Sequence, residues 1–261
     1  ESFPSVNLIY KYDLVASDYL DGQSDEFVAE RLMSARNLFS DARSLEVFDT
    51  IVRRAIGGDD TIDLMPSICD PAQYFDRAVV PLDENESYVD VGAYNGDTLE
   101  YFRKVVDGRY ERAFAFELDP ANFRNLESAV QCMPDRDKIE IFNLGAWESA
   151  GEVRFSVGKS QSTVGEGDCV GHVVPIDDVL YGRRISFIKM DIEGAELHAL
   201  RGGQRSIQQS QPKLAICVYH HISHLWEVPF YIHQLLPDHQ LFLRHYTSLE
   251  YETVCYAIPG K

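Results

Sequence analysis

Apolar positions along this chain change their period partway. From Ser24 to Ile56 they recur at helical spacing. Phe27, Val28, Leu32, Leu38 and Phe39 form one set, and Leu45, Val47, Phe48, Ile51 and Val52 a second. Ser24 or Asp25 is placed to cap the first helix and Ser40 or Asp41 the second, and Gly57-Gly58-Asp59-Asp60 ends the pair. Residues 1–25 carry no clear period. Residues 61–86 read as a connector with one apolar stretch, Tyr74 to Val80. Pro81 and the acids at 83, 84 and 86 mark a boundary.

Beyond it the pattern alternates. Strand-like apolar runs occupy Ser87–Val91, Arg112–Glu117, Lys138–Asn143, Ser186–Asp191 and Leu214–Tyr219. Helical stretches, Asp97–Val106, Pro120–Met133 and Ala195–Leu200, lie between several of them. This alternation predicts an α/β fold with a mostly parallel sheet, its strands buried on both faces. Gly151–Val157 and Gly171–Ile176 read as a strand pair inserted before the fourth main strand. Gln240–Tyr246 and Glu252–Ala257 are two strands joined by so short a link that they must pair antiparallel, because a parallel crossover needs about a dozen residues. One strand near the sheet edge is therefore reversed.

Composition narrows the function. A formal net charge of −18 repels phosphate backbones and anionic lipids, which argues against nucleic acid and membrane partners. Cys69, Cys132, Cys169, Cys217 and Cys255 are scattered, odd in number and never spaced as C-x-x-C, a pattern that suits a reduced, cytoplasmic protein. Cys217 and Cys255, set in apolar runs, read as core packing. No run approaches the roughly 20 apolar residues of a membrane span, and no secretory signal is present. Starting at Glu1 without methionine, the chain reads as a piece of something longer.

The chemistry concentrates where strands end. Tyr88-Val89-Asp90-Val91-Gly92-Ala93-Tyr94-Asn95-Gly96-Asp97-Thr98 runs from a strand through a glycine turn into a helix. Ligands of open α/β sheets bind at such carboxyl ends. Glycines at 92 and 96 permit unusual dihedrals and close approach of a ligand, and N–H groups at the helix start can receive an anionic group. Asp90 takes the place of the first glycine of a dinucleotide fingerprint, which favours a cationic, amino-acid-like ligand. Glu117 ends the second strand 25 residues past Gly92, near the spacing of an acid that accepts ribose hydroxyls, while Asp119-Pro120 reads as a helix start.

These stretches resemble the Rossmann-like S-adenosylmethionine-dependent methyltransferases, and more narrowly the FkbM family. The resemblance rests on residues 89–98, on Phe116-Glu117-Leu118-Asp119-Pro120 with Asn122 and Leu126, on Ile188-Lys189-Met190-Asp191-Ile192-Glu193-Gly194-Ala195-Glu196, on Tyr219-His220-His221, and on Leu243-Arg244-His245-Tyr246. It implies a Rossmann-like methyltransferase sheet over 81–261, and the helical pattern before it reads as an N-terminal extension over 1–80. It also implies S-adenosylmethionine held by Asp90, Gly92, Ala93, Tyr94, Gly96, Thr98, Glu117, Leu118, Gly145, Ala146 and Asp191, with methyl transfer to an oxygen of a sugar, glycan or secondary metabolite.

Methyl transfer to an alcohol needs a base or a metal, since the free hydroxyl is too weak an acid. Asp191, at the fourth strand tip, and His220 and His221, after the fifth, are the catalytic candidates. Asp191 and Glu193 also suit a helix cap, and Lys189 can pair with an acid. His224 and Trp226 extend the histidine stretch as a loop able to wall the acceptor. The spacing matches no metal motif, so no metal is assigned. The adenine is expected at Asn143-Leu144-Gly145-Ala146, whose small residues admit a flat ring, with Trp147 structural. Ser160 to Gly167 fits a flap or a hairpin tip, and Arg244 a substrate contact or a polar strand end. The N-terminal helices suit a lid, a homo-oligomer surface or a dock for a neighbouring domain. Two other readings use the same sheet: an NAD(P)-dependent oxidoreductase, opposed by Asp90 and the reversed strand, and a non-catalytic partner-binding domain, opposed by the joint presence of Asp90, Gly92, Gly96 and Glu117.

Overall fold

The computed structural model describes residues 25–56, 65–155 and 168–260. The strands, in chain order, are β1 Ser87–Val91, β2 Arg112–Phe116, β3 Ile139–Phe142, β4 Gly145–Ala146, β5 Gly151–Phe155, β6 Cys169–Val174, β7 Phe187–Met190, β8 Lys213–Cys217, β9 His239–His245 and β10 Thr253–Pro259. The helices are α1 Asp25–Arg36, α2 Ala42–Ile56, α3 Met65–Ile68, α4 Asp97–Val105, α5 Pro120–Gln131, α6 Ile176–Leu180, α7 Glu196–Gly202, α8 Gln204–Ser210 and α9 His224–Leu235. The main sheet has the order β3-β2-β1-β7-β8-β10-β9, and a smaller one the order β4-β6-β5. Pairing is parallel from β3 through β8, and β9 runs antiparallel to β10. This is the mostly parallel α/β sheet with a reversed strand near its edge that the apolar pattern predicts.

Two compact units emerge, 80–216 and the union of 1–79 with 217–261. The last 45 residues cluster with the N-terminal segment. In the first unit every β1 residue is buried, Ser87 and Asp90 included. Its register is set at the strand starts by a polar cluster. The Ser87 amide donates to Ser186 Oγ at 2.8 Å, the Ser186 amide to the Ser87 carbonyl at 2.9 Å, and Ser186 Oγ and Lys213 Nζ both donate to buried Glu86. Helix α5 begins as Asp119-Pro120 foretells: Asp119 Oδ1 accepts the Ala121 amide at 2.6 Å, and Pro120 needs no partner in the first turn. The inserted pair is β5 and β6, antiparallel from Gly151↔Val173 to Phe155↔Cys169. The stretch Ser160 to Gly167 lies outside the described residues.

In the second unit the backbone itself explains the clustering. Ser40 N–H donates to the Leu241 carbonyl at 2.8 Å and Asp70 N–H to the His245 carbonyl at 2.7 Å, so the N-terminal segment lies along β9. Phe39, Val47, Phe48 and Val52 share this unit's core with Leu241, Leu243 and Val254. Asp41 caps α2 through Ser44 N–H at 2.8 Å and also receives Arg244 Nη2 at 2.6 Å, and Ser44 Oγ accepts the Leu243 amide. Arg244 is therefore bound to Asp41 and Ser44 within this unit. Cys217 and Cys255 are fully buried, as core packing requires. Helix α9 was not legible, because Pro229 sits inside it and removes one i→i−4 bond. No helix among the described residues is long and apolar enough to cross a membrane.

Truncating Arg244 leaves Asp41 without its charged donors. Arg244→Met is expected to lower unfolding free energy by about 2 kcal/mol, the usual worth of hydrogen bonds to a charged group, as read by urea denaturation.

Candidate active site

The chain leaves β1 at Val91 and turns through Gly92 to Gly96 before α4. Gly92 and Gly96 have φ of 82° and 89°, and Tyr94, between them, 49°. The glycines take that conformation freely, whereas at Tyr94 it costs about 1 kcal/mol. Hydrogen bonds hold it there. Tyr94 N–H donates to Glu117 Oε2 at 2.8 Å, the N–H groups of Gly92 and Ala93 both donate to the Phe116 carbonyl at 3.0 Å, and Gly96 N–H donates to the Ala93 carbonyl at 2.8 Å. The turn is thereby sewn to the end of β2.

Gly92 answers to the protein as well as to any ligand. A Cβ there would stand 2.0 Å from the Asp191 carbonyl oxygen. The Asp191 amide donates to the Val91 carbonyl at 3.1 Å, so the residue after β7 lies directly on the turn. The Asp191 side chain is half-buried, and Glu193 and Gly194 beyond it both have positive φ, 55° and 95°. At the start of α7, Ile192 N–H is received by Glu196 Oε1 at 3.0 Å. Glu196, the first residue of α7, thus ties down the backbone that leads into the helix.

Glu117 is 8% exposed, and its other oxygen accepts Asp119 N–H at 2.8 Å. Burial pushes its carboxyl above the ordinary 4.5, and the Asp119 and Tyr94 N–H groups oppose that rise. Asn143, read above only as the first residue of the adenine loop, proves to be a support: its Nδ2 donates to the carbonyls of Glu117 and Leu118 at 2.8 and 3.1 Å. Its signal was a polar residue ending an apolar strand, the same signal that marks Glu117 and Asp191.

Three expectations change in detail. Asp90 was expected to offer its charge to a cationic ligand. It is fully buried, and Lys189 Nζ lies 3.0 Å from its Oδ1, so that charge is turned to Lys189 inside the protein, which offsets part of the rise that burial imposes on the carboxyl. The N–H groups entering α4 were expected to receive an anion, yet Asp97 N–H donates to Asn95 Oδ1 and Thr98 N–H to Asp97 Oδ1, at 3.1 and 2.7 Å. Short polar side chains next in sequence reach these donors first. Gly145 and Ala146 were expected to leave room for a ring. A Cβ on Gly145 would meet Val173 and Leu118 at 3.0 and 3.1 Å, and Ala146 is buried, so their smallness first serves packing. Half-buried Leu118 is wedged there, with Gly171 beneath it.

Asp90, Gly92, Ala93, Tyr94, Gly96, Thr98, Glu117, Leu118, Gly145, Ala146 and Asp191 all lie in the unit 80–216. His220 and His221 follow β8 in the other. The His220 ring lies 4.0 Å from that of Tyr219, and the His221 ring 4.9 Å from that of His224. The stretch expected as a loop turns helical at His224, and His224 and Trp226 are both buried in α9.

A family profile described as Methyltransferase FkbM domain matches residues 90–248, more than half of the chain. Among solved structures, Methyltransferase FkbM from Methylobacillus flagellatus is similar with a TM-score of 0.77 and 27% identity over 89% of this chain and 59% of that one. The chain thus spans about three fifths of that protein's length. An rRNA methylase from Streptococcus thermophilus has a TM-score of 0.46 and 12% identity over 77% of this chain and 95% of that one. Aeropyrum pernix fibrillarin, in complex with natively bound S-adenosyl-L-methionine, has a TM-score of 0.44 and 12% identity over 70% and 71%. No curated protein sequence matches.

Two outcomes test the turn. Gly92→Ala should cost clearly more than Gly108→Ala in urea denaturation. Gly108 has a similar φ of 67° but nothing within 4 Å of an added Cβ, so it reports the backbone term alone, about 1 kcal/mol. Affinity for S-adenosylhomocysteine should fall as pH drops, starting above 4.5, because protonated Glu117 loses acceptor capacity. Glu117→Gln should bind weakly with little of that dependence in calorimetry. For folding the sign is opposite: a carboxyl with a raised native pKa stabilises the fold below its unfolded value, and the gain is lost as pH rises through the native one.

Proposed function

The chain belongs to the FkbM family of S-adenosylmethionine-dependent methyltransferases, and from that premise we propose that it methylates a hydroxyl oxygen of a sugar, glycan or secondary metabolite. The observation that carries the reading is the buried Glu117 carboxylate held against the Gly92 turn by Tyr94 N–H. Each Glu117 oxygen accepts one backbone N–H and keeps a further lone pair, which suits the two hydroxyls of a ribose. Glycine turn and acid together favour a nucleoside ligand, so the residues fit the cofactor.

When bound, S-adenosylmethionine supplies a methyl group already activated on a sulfonium. The chain's own residues do the rest: they hold the nucleoside, orient the acceptor and take its proton. Asp191 is the first base candidate. Its backbone is fixed to Val91 and packed on Gly92, so its half-buried carboxylate starts from a rigid strand end. His220 and His221 are the second, as imidazoles able to take a proton on a ring nitrogen. As the acceptor oxygen gains the methyl, its proton passes to one of these groups. A net charge of −18 favours neutral or cationic acceptors over polyanions.

Mass spectrometry with isotopically labelled S-adenosylmethionine across hydroxylated sugars, glycans and metabolites is the direct test. Labelled ethers are expected, and labelling confined to nitrogen or carbon would overturn the oxygen assignment. Asp191→Asn and His220→Ala should each lower kcat about 100-fold or more, the usual reach of general-base catalysis. In His220→Ala cofactor affinity should stay close to that of the unaltered protein. Full turnover in both variants would remove the base assignment.

A further inference from the structure

Lys189 is a charged side chain only 2% exposed, in the middle of a sheet. Its surroundings follow from register. Across the sheet the aligned positions read Ile141, Ala115, Asp90, Lys189, Ala215. Aligned residues of parallel strands point to the same face, so Lys189 and Asp90 stand side by side, with a small alanine outside each. One step earlier, Tyr88 stacks on Phe102 of α4 at 4.4 Å and lies 5.5 Å from Phe187. Burial, followed by the neighbouring Asp90, pushes the Tyr88 phenol well up.

An ion pair this deep is poorly explained by stability. Desolvation takes several kcal/mol per ion, and apolar replacements of like volume are often neutral or stabilising. The feature that a mere counter-charge would lack is a second contact. Lys189 Nζ also donates to the Gly92 carbonyl at 2.8 Å. One ammonium therefore bridges the Asp90 carboxylate and the backbone of the turn, from β7, while β2 holds the same turn through the Phe116 carbonyl and Glu117.

We infer that Lys189 is a positioning residue for cofactor binding: through the Gly92 carbonyl it sets the turn so that Tyr94 N–H stays on Glu117 and the carboxylate stays aimed at the nucleoside. Asp90 then serves to keep that ammonium charged and in place inside the sheet. The inference rests on reading the Gly92–Glu117 site as the cofactor site.

The test compares Asp90→Asn with Asp90→Asn/Lys189→Met. Both lack the Asp90 charge, and they differ in the donor to Gly92. The double variant is neutral at this position and is expected to fold, as a thermal melt will show. It should bind S-adenosylhomocysteine about tenfold or more weakly than Asp90→Asn, the worth of one hydrogen bond from a charged group. The loss should fall on the KM for S-adenosylmethionine, with little change in kcat at saturation, and hydrogen exchange at the Tyr94 amide should speed up. Lys189→Arg gives the same answer should the double variant not fold. It keeps the charge opposite Asp90 but displaces the donor, so affinity should fall, whereas a simple counter-charge role predicts rescue. Equal affinity and KM in the single and double variants, or full affinity in Lys189→Arg, overturns the inference alone. Failure of the unaltered protein to bind S-adenosylhomocysteine beside Gly92 and Glu117 overturns the site reading, and this inference with it.

Discussion

At Gly92 the chain from β1 meets the carbonyl of Asp191 so closely that no side chain can stand between them. Much of the site follows from that contact. β1 lies between β2 and β7 in the sheet, so its tip is within reach of groups from both neighbours. From β2 come the Phe116 carbonyl and the Glu117 carboxylate, and from β7 come the Lys189 ammonium and the Asp191 backbone. A turn held from two sides keeps Tyr94 in a left-handed conformation that an unsupported tyrosine would leave. Such prior ordering is what a binding site needs, because donors and acceptors already in place reorganise little when a ligand arrives.

The parallel strands are tied at both ends by different chemistry. At their starts Ser186 and Lys213 gather on buried Glu86 in a polar cluster that locks β1, β7 and β8 in register. Toward their other ends the polar groups hold a turn as well as one another, Lys189 reaching both Asp90 and the Gly92 carbonyl. A one-residue slip of β7 would put Met190 or Ile188 beside Asp90 and send Lys189 to the opposite face. The buried charge pair therefore penalises the wrong register as well as serving the turn.

Much of this was readable in advance. Strand positions came from apolar runs, since a parallel strand covered on both faces admits few polar residues, and those few were mostly the informative ones: Asp90, Glu117, Asp191 and, overlooked as a support, Asn143. Asp119-Pro120 announced its helix because a cap depends only on neighbours in sequence. Helix α9 escaped because Pro229 breaks the local pattern, and its apolar face is stabilised by burial that no local window reports.

Residue types and their spacing were enough to establish the alternating sheet, the glycine turn and the acids Glu117 and Asp191 at two strand tips, for these depend on steric and capping rules that act within a few residues. Other assignments needed the folded chain. Asp90 faces Lys189, the smallness of Gly92 and Gly145 answers to Asp191 and Leu118, and the last 45 residues join the first 79. Each of these is a contact between segments far apart in sequence, and only strand order and register bring such segments to the same place.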